Sequence, residues 1–402
     1  MKFFLFIESY TFLFQGSSSD LVYNSLDGTC FSYTSPIIRS LLQEIAFNES
    51  CYGTFIDDEV YQQHDVKSFV EELRSSFMGD LIVCDETFHI PFIPHPIFRV
   101  NELKFIQQEK DNLFNKNIIK NIQDLYLYLP TLHEYHQPYY KQYPHPYTWK
   151  GDSLNINELI NIINEIREYD YCKIILVGNV DDILKVLKNL NNISILKEVC
   201  IEASNSTRES ILSLLKIGDF KIKVALHAPY LCDWLFNEFP YDCKERLNLQ
   251  FYVESEEEYY LLEKLQMREV YKYTLKPYFN GSNVDFLQKY VFLDECDIKG
   301  ELHNKNQIFR KKTLNENFYG KLYVSPDGDV YANMNYASLG NIREKTLYEL
   351  VYSEFKIRGA WFLTRDKCES CKKCEFRYLC PSISNMELVM NKFDLCMKNT
   401  NM

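Results

Sequence analysis

The cysteines near the end of the chain constrain this sequence more than any other feature. Five of the thirteen cysteines lie at or after residue 368, in the order Cys368, Cys371, Cys374, Cys380 and Cys396. The C-x2-C-x5-C spacing inside this run lets a tight turn and a short helix bring three thiolates around one centre. A disulfide knot and chance clustering are the alternatives. Spacings this short are typical of ligands, so the run predicts a bound metal or cluster.

The composition narrows the class of protein further. The chain has 402 residues and a formal net charge of −12, which disfavours a nucleic-acid surface. Thirteen cysteines are an odd number and do not form a regular secreted framework, so a reducing compartment is expected. No apolar run approaches the roughly 18 residues that a membrane helix needs. We therefore expect a cytoplasmic protein of two or three domains that binds neither nucleic acid nor membrane.

Residues 1–95 are predicted to form a winged-helix-like domain. Short aromatic strands come first, with a hairpin turn at Gly28, because glycine takes a positive φ at no steric cost. Ser35 and Pro36 predict a helix start, and apolar residues recur at helical spacing in that segment and again at 66–77. A wing-like strand at 81–84 follows. Residues 96–121 are predicted to be a connector that contains a polar helix, 102–120.

Residues 122–300 alternate between strand and helix patterns. Six such units predict a parallel sheet with helices outside, either a partial (β/α)6 barrel or an open doubly wound sheet, in an α/β fold. Functional residues of these folds lie at the carboxyl ends of the strands. Residues 301–402 change again, with a hairpin turning at 326–328, a turn at 339–342, a helix and the cysteine run.

That hairpin, turn and cysteine run together resemble the SPASM domain, the iron–sulfur extension of many peptide-modifying radical SAM enzymes. With the six strand–helix units the resemblance covers nearly the whole chain, and it implies a SPASM-like domain at 301–402 behind a radical-SAM-like barrel at 122–300. Residues 21–29 and the helices after them are similar to a small peptide-recognition element. That likeness implies binding of a precursor's leader peptide as an added strand; a structural or dimerising winged helix is the alternative.

The SPASM resemblance also implies which cysteines act. The distal ligand set of such domains maps onto Cys371, Cys374, Cys380 and Cys396, and Cys368 is a spare thiol or a fifth candidate ligand. Four thiolates suit zinc as well, and only the resemblance favours a 4Fe–4S cluster.

The proximal ligand set of the family is missing here. Its cysteine positions hold Asn317, Asn333 and Ser384 in this chain. Neutral oxygen donors do not hold a soft iron–sulfur unit, so one auxiliary cluster is expected and not two.

The first barrel strand lacks the residues that start radical SAM chemistry. The family requires C-x3-C-x2-C after that strand, yet no cysteine occurs between Leu129 and Cys172. The glycine-rich segment that holds the amino group of S-adenosylmethionine is reduced to Gly178 and its neighbours. Binding of S-adenosylmethionine is therefore not expected.

The chain as a whole resembles the pseudo-radical-SAM proteins of Bacteroidales-type (GG-type) ribosomal peptide maturation systems. This implies a non-catalytic accessory protein that binds a precursor peptide beside a partner maturase. One alternative is an active radical SAM-like or metal-dependent enzyme with a site rebuilt from His133, Glu134, His136 and His145. A zinc-stabilised binding scaffold is the other.

Overall fold

The computed structural model describes residues 1–47, 52–85, 87–89, 116–131, 140–166, 172–189, 196–203, 208–227, 245–266 and 273–396. Within these ranges the chain forms two small antiparallel sheets and one nine-stranded sheet. None of the helices in these ranges is long and apolar enough to cross a membrane.

The N-terminal region contains both small sheets. In the first, β1 (Lys2–Ile7) lies between β5 (Gly53–Asp57) and β6 (Gly79–Cys84). The second sheet has the order β2 (Thr11–Gln15), β3 (Asp20–Asn24) and β4 (Cys30–Tyr33). The helices of this region are α1 (Pro36–Phe47), α2 (Asp58–Tyr61) and α3 (His64–Ser75).

The predicted strands and both amphipathic helices of this region are confirmed. The wing-like strand pairs with β1 and not with the hairpin, so the N-terminal region contains two separate sheets. Helix α3 packs into the core through one face. Its residues Val66, Phe69, Val70 and Leu73 recur at helical spacing and are all buried.

The large sheet has the strand order β12-β11-β10-β9-β8-β7-β13-β14-β15. Its first strands are β7 (Asp124–Tyr128), β8 (Lys173–Val177), β9 (Leu196–Glu202), β10 (Lys221–His227), β11 (Leu247–Val253) and β12 (Tyr273–Pro277). The helices between them are α4 (Ile156–Ile166), α5 (Val180–Asn189), α6 (Arg208–Ile217) and α7 (Glu256–Gln266). The predicted helix at 230–236 and most of the predicted connector helix lie outside the described residues.

Strands β7 to β12 are all parallel and lie in consecutive order. The strand order does not reverse between β7 and β12, whereas a doubly wound sheet reverses its order at a switch point. Because parallel crossovers are right-handed, consecutive units place their helices on the same face of the sheet. The buried faces of α4, α5 and α6 pack there against the apolar strand residues in the largest core of the protein.

The C-terminal region joins the same sheet. Strand β13 (Lys321–Val324) runs parallel to β7, and β14 (Asp329–Tyr331) and β15 (Gly340–Asn341) extend the sheet antiparallel. The remaining helices are α8 (Val284–Tyr290), α9 (Glu295–Gly300), α10 (Lys305–Thr313), α11 (Leu347–Ile357) and α12 (Asn385–Met390). One sheet therefore continues across the domain boundary that the sequence suggested at residue 300.

Capping boxes fix where four of these helices begin. In each box the side chain of the first residue accepts a hydrogen bond from the backbone N–H three residues later, and the side chain of that later residue accepts one from the backbone N–H of the first. The first residues are Asp294, Asn304, Thr346 and Ser384. Such pairs satisfy two backbone donors that the helix itself leaves without partners. The short helices around the cysteine run are thus held by local sequence.

A buried carboxyl group on α11 links that helix to the turn after it. Glu354 is 1 % exposed and accepts a hydrogen bond from the Trp361 backbone N–H at 2.8 Å. Burial raises the pKa of Glu354 to about 7, well above its ordinary value of 4.5.

This shift predicts how stability depends on pH. Between pH 4.5 and 7 the folded carboxyl binds a proton that the unfolded chain does not, so this group makes the free energy of unfolding fall as pH rises. Glu354→Gln should remove that dependence and stabilise the protein above pH 7 by up to about 3 kcal/mol. Denaturant unfolding of both proteins from pH 4.5 to 8 measures it. A difference that stays constant with pH would contradict the assignment.

Candidate metal centre

Four of the five C-terminal cysteines lie around one cavity. Cys371, Cys374, Cys380 and Cys396 all line a space of about 40 Å³. Each of the four is a free thiol. The set is the one that the spacing and the resemblance predicted as the distal ligands.

Consecutive tight turns explain how the first three thiols reach the cavity. The backbone N–H of Cys371 donates to the Cys368 carbonyl at 3.0 Å, and that of Cys374 donates to the Cys371 carbonyl at 2.9 Å. A further turn follows, in which the Cys380 N–H donates to the Phe376 carbonyl at 2.9 Å. Cys396 lies in a separate segment, which a parallel β-bridge joins to Leu293.

Cys368 does not line this cavity. Its side chain is buried and packs with Cys371 and Ile383. Burial raises the pKa of the Cys368 thiol to about 11, which favours the protonated form.

Arg365 is the principal cation of the site. Its Nη1 lies 3.7 Å from Cys371 Sγ, 3.0 Å from Glu387 Oε1 and 2.8 Å from the Phe393 carbonyl, and its Nε donates to the Pro381 carbonyl at 2.7 Å. The guanidinium therefore joins the cysteine turns to the segment that carries Cys396. A fixed positive charge beside thiols favours the thiolate form that binds metals.

From the sequence alone, the basic residues that surround the cysteines are Lys367, Lys372, Lys373 and Arg377, and Arg365 is not among them. Of those, Arg377 does line the cavity, whereas Lys372 pairs with the exposed Glu369. Spacing could not identify Arg365, because Lys367, Lys372 and Lys373 all lie closer to a cysteine along the chain. Its role follows from the fold of residues 381–393 over it.

The sheet β2–β3–β4 forms one wall of the site. Its residues Phe12, Phe14, Leu21 and Tyr23 share a buried cluster with Phe376 and Leu379, against which Cys374 and Cys380 pack. Backbone contacts reinforce the junction, since the Ser17 N–H donates to the Lys373 carbonyl at 2.9 Å and Arg377 Nη1 donates to the Gln15 carbonyl at 2.6 Å. The N-terminal region and the cysteine turns thus form one packed unit.

Asn315 holds the other side of the site. It is fully buried, and its Nδ2 donates to the carbonyls of Leu363 and Ile383, each at 3.0 Å. Its Oδ1 accepts from the N–H of Asn317 at 2.8 Å and of Phe318 at 3.2 Å. One amide therefore joins the start of β13 to the segments on both sides of the cysteine turns.

The three positions that lack the family's proximal cysteines make hydrogen bonds within the protein. Asn317 Nδ2 donates to the Ser382 carbonyl at 2.8 Å, Asn333 Nδ2 donates to Asn385 Oδ1 at 2.6 Å, and Ser384 caps α12. Their polar atoms serve packing at these positions.

No three His, Cys, Asp or Glu side chains of the described residues converge as a ligand set for a single metal ion. The four cysteines instead surround a cavity. A zinc ion would draw four sulfur atoms to about 2.3 Å from one point. Four thiols and a buried guanidinium around a cavity fit the donor chemistry of an iron–sulfur cluster, whose negative charge a cation tempers.

The rebuilt metal site that the sequence offered as an alternative involves His133, Glu134 and His136, which lie outside the described residues. His145 is described. It is 1 % exposed, with Nδ1 at 3.1 Å from the Tyr143 carbonyl. Burial lowers its pKa to about 4, so the imidazole is neutral at physiological pH.

A polar cluster at the carboxyl ends of β10 and β11 was only partly foreseen. His227 Nδ1 lies 3.3 Å from Glu254 Oε1, and Asn280 Nδ2 donates to Glu254 Oε2 at 3.0 Å. The sequence predicts that His227, at a strand end, is a hydrogen-bonded core residue, and this is confirmed. The sequence also predicts that Glu254 belongs to a solvated helix start. This is wrong, because the loop after β12 brings Asn280 over Glu254; the hydrogen bond from His227 lowers the pKa of Glu254.

The ion pair beside the cysteines yields a stability prediction. The Arg365 and Glu387 side chains are only 11 % and 3 % exposed, so Arg365→Met leaves a buried carboxylate without its cation. We expect a loss of about 3–5 kcal/mol in the free energy of unfolding, partly regained in Arg365→Met/Glu387→Gln. Lys372→Met, which breaks an exposed pair, should cost less than about 1 kcal/mol. Denaturant unfolding measures all four proteins, and equal losses for Arg365→Met and Lys372→Met would contradict the role given to Arg365.

The solved structures that this chain matches include three crystal structures of SuiB from Streptococcus suis. The structure bound to S-adenosylmethionine is 11% identical, with 98% of this chain and 99% of that chain covered and a TM-score of 0.40. The structure bound to the precursor peptide SuiA is 12% identical, with the same coverage and a TM-score of 0.37. A third SuiB structure is 11% identical, covers 98% and 100% of the two chains, and has a TM-score of 0.39. TM-scores of this size do not establish a common fold.

Comparison of sequences gave one match. No curated protein matches this chain. Residues 317–375 match the model of the SPASM family, which is described as an iron-sulfur cluster-binding domain. The matched segment contains Cys368, Cys371 and Cys374, and it ends before Cys380 and Cys396. The part of the chain from β13 to the cysteine turns is thus similar to an iron–sulfur cluster-binding domain.

Proposed function

We propose that this protein is a non-catalytic accessory protein in the maturation of a ribosomally made peptide and that it carries one auxiliary 4Fe–4S cluster. The observation that carries the proposal is the gathering of Cys371, Cys374, Cys380 and Cys396 around one cavity. The SPASM match, which overlaps this site, supports the choice of iron–sulfur over zinc.

The residues of the site define what it can do. Four thiolates fill every ligand position of a cluster, so no position stays open for a substrate. Arg365 and Arg377 stand beside the thiols and temper the charge of about −2 that such a unit carries. When bound, a 4Fe–4S cluster of this kind supplies electron transfer or structural support.

The first strand of the barrel-like sheet supports a role without radical chemistry. The segment after β7 has no cysteine before Cys172, so it lacks the three thiolates of a radical SAM motif. Gly178 has a packing reason of its own, since a Cβ atom there would lie 2.9 Å from the Leu129 Cβ. Its presence after β8 does not require a bound S-adenosylmethionine.

Strand β4 is the proposed acceptor for the precursor peptide. It pairs with β3 on one side, and within the described ranges no strand pairs with its other edge. Tyr33, the last residue of β4, donates a hydrogen bond to Glu72 of α3 at 2.5 Å. Its ring meets the Phe69 ring edge-on, with the ring centroids 5.0 Å apart. An open edge next to an aromatic wall suits an added strand. Since β4 belongs to the sheet that covers the cysteines, a bound peptide would lie on the same packed unit as the cluster.

Serine substitutions test the ligand set. Replacing Cys371, Cys374, Cys380 or Cys396 by serine should remove most of the iron from anaerobically reconstituted protein, because a hydroxyl is a poor ligand for a soft centre. Cys368→Ser, outside the cavity, and Cys296→Ser, an exposed thiol on α9, should keep the wild-type iron content.

Two results would contradict this set. Cys371→Ser could retain its full iron, or Cys368→Ser could lose as much iron as the four cavity variants. Cleavage of S-adenosylmethionine by the reduced protein would instead support the enzyme alternative.

Proline substitutions test the peptide site. A synthetic peptide copied from a short open reading frame beside the gene should bind the wild-type protein, with fluorescence anisotropy as the readout. Ser32→Pro on β4 should weaken binding about tenfold or more, since proline removes a backbone donor from the accepting edge. Val83→Pro, at an exposed position of the edge strand β6, is the matched control. Equal weakening by both variants, with circular dichroism unchanged, would remove β4 as the acceptor.

A further inference from the structure

A second cavity lies on the face of the large sheet opposite the helix-covered core. It measures about 320 Å³, within the size range of small-molecule sites. Three lysines line it, Lys223 of β10, Lys276 of β12 and Lys321 of β13. The cluster around Arg365 is a separate cavity with different lining residues.

The charges of this cavity are not balanced. Lys223 forms an ion pair with Glu198. Lys276 and Lys321 have no carboxylate within ion-pair distance among the described residues. All three side chains are half-buried, in a chain whose net charge is −12. Partly buried cations that form no ion pair with a carboxylate cost free energy, and a bound anion would lower that cost.

The arrangement favours one class of anion. All three cations are lysines, which act as compact point charges, and no arginine with its planar fork lines the space. Lysine binds phosphate as a point charge, whereas the bidentate fork that arginine offers to carboxylates and phosphates is missing from this lining. The space exceeds that of a bare phosphate ion, and aromatic walls adjoin the lysines.

Those walls are ordered by stacking. The rings of Tyr126 and Tyr323 stack with centroids 4.7 Å apart and an interplanar angle of 15°. Tyr143 closes another side, with its hydroxyl donating to the Pro277 carbonyl at 2.6 Å and Lys276 Nζ 5.7 Å from its ring centroid. Rigid aromatic surface next to cations suits an organic ring that carries a phosphate group.

We propose that this cavity binds a small phosphate ester, with the phosphate held by Lys276 and Lys321, assisted by Lys223, and the organic part against the tyrosines. This site does not depend on the iron–sulfur assignment, since it shares no lining residue with the cysteine cavity.

Isothermal titration calorimetry of the full-length protein with AMP, adenosine, pyrophosphate and inorganic phosphate tests the proposal. AMP should bind at least about tenfold more tightly than adenosine, and its affinity should fall as salt rises. Pyrophosphate and phosphate separate the phosphate contribution from that of the ring. If neither AMP nor pyrophosphate binds, or if adenosine binds as well as AMP, the proposal is overturned.

Charge variants locate the site. Lys276→Gln and Lys321→Gln should each weaken AMP binding about tenfold, and neither should destabilise the fold, because each removes a repelling cation. Lys188→Gln, an equal charge change on an exposed position of α5, is the control and should leave binding unchanged. Binding that weakens equally in Lys188→Gln would show general charge attraction and would contradict a site in this cavity.

Discussion

The gathering of four thiols around one cavity is the constraint on which the C-terminal region depends. Burial raises the pKa of the Cys380 thiol to about 12, so the low-dielectric surroundings alone oppose ionisation. The guanidinium of Arg365 acts in the opposite direction and is itself fixed by Glu387 and two carbonyls. A site of this kind is stable when a cluster takes up the thiolates. The proposed function rests on this balance between burial, which favours the thiol, and the guanidinium, which favours the thiolate.

The rest of the fold holds that site from three sides. The sheet β2–β3–β4 covers it with aromatic residues, Asn315 joins its flanking segments to β13, and β13 itself belongs to the large parallel sheet. A strand added at β4 would extend the sheet that covers the cysteines. The lysine-lined cavity lies elsewhere on the large sheet, so the sites proposed for a peptide, a cluster and a small anion do not overlap.

Local patterns predicted most of the secondary structure. Helical periodicity located α1 and α3 to α7, and the hairpin of β13 and β14 follows from the turn at Gly328, where φ is +92°. The ligand spacing singled out Cys371, Cys374 and Cys380, and the SPASM resemblance added Cys396; all four line the cavity. Such local patterns could not predict contacts between segments that are distant in sequence. Arg365, the cover that β2 to β4 place over Cys374 and Cys380, and the bond of Glu254 to His227 all depend on residues far apart in sequence. Lys276 and Lys321 likewise line one cavity although their strands, β12 and β13, are far apart in the strand order.

The measurement that tests the central claim most directly is elemental analysis of the wild-type protein purified without oxygen. Iron, acid-labile sulfide and zinc are counted per chain, with an EPR spectrum after reduction. About four irons and about four sulfides, with the EPR signal of one reduced cluster, are the predicted result. Zinc alone would make the site a structural zinc centre, and about eight irons would mean a second cluster. Either outcome would contradict the account.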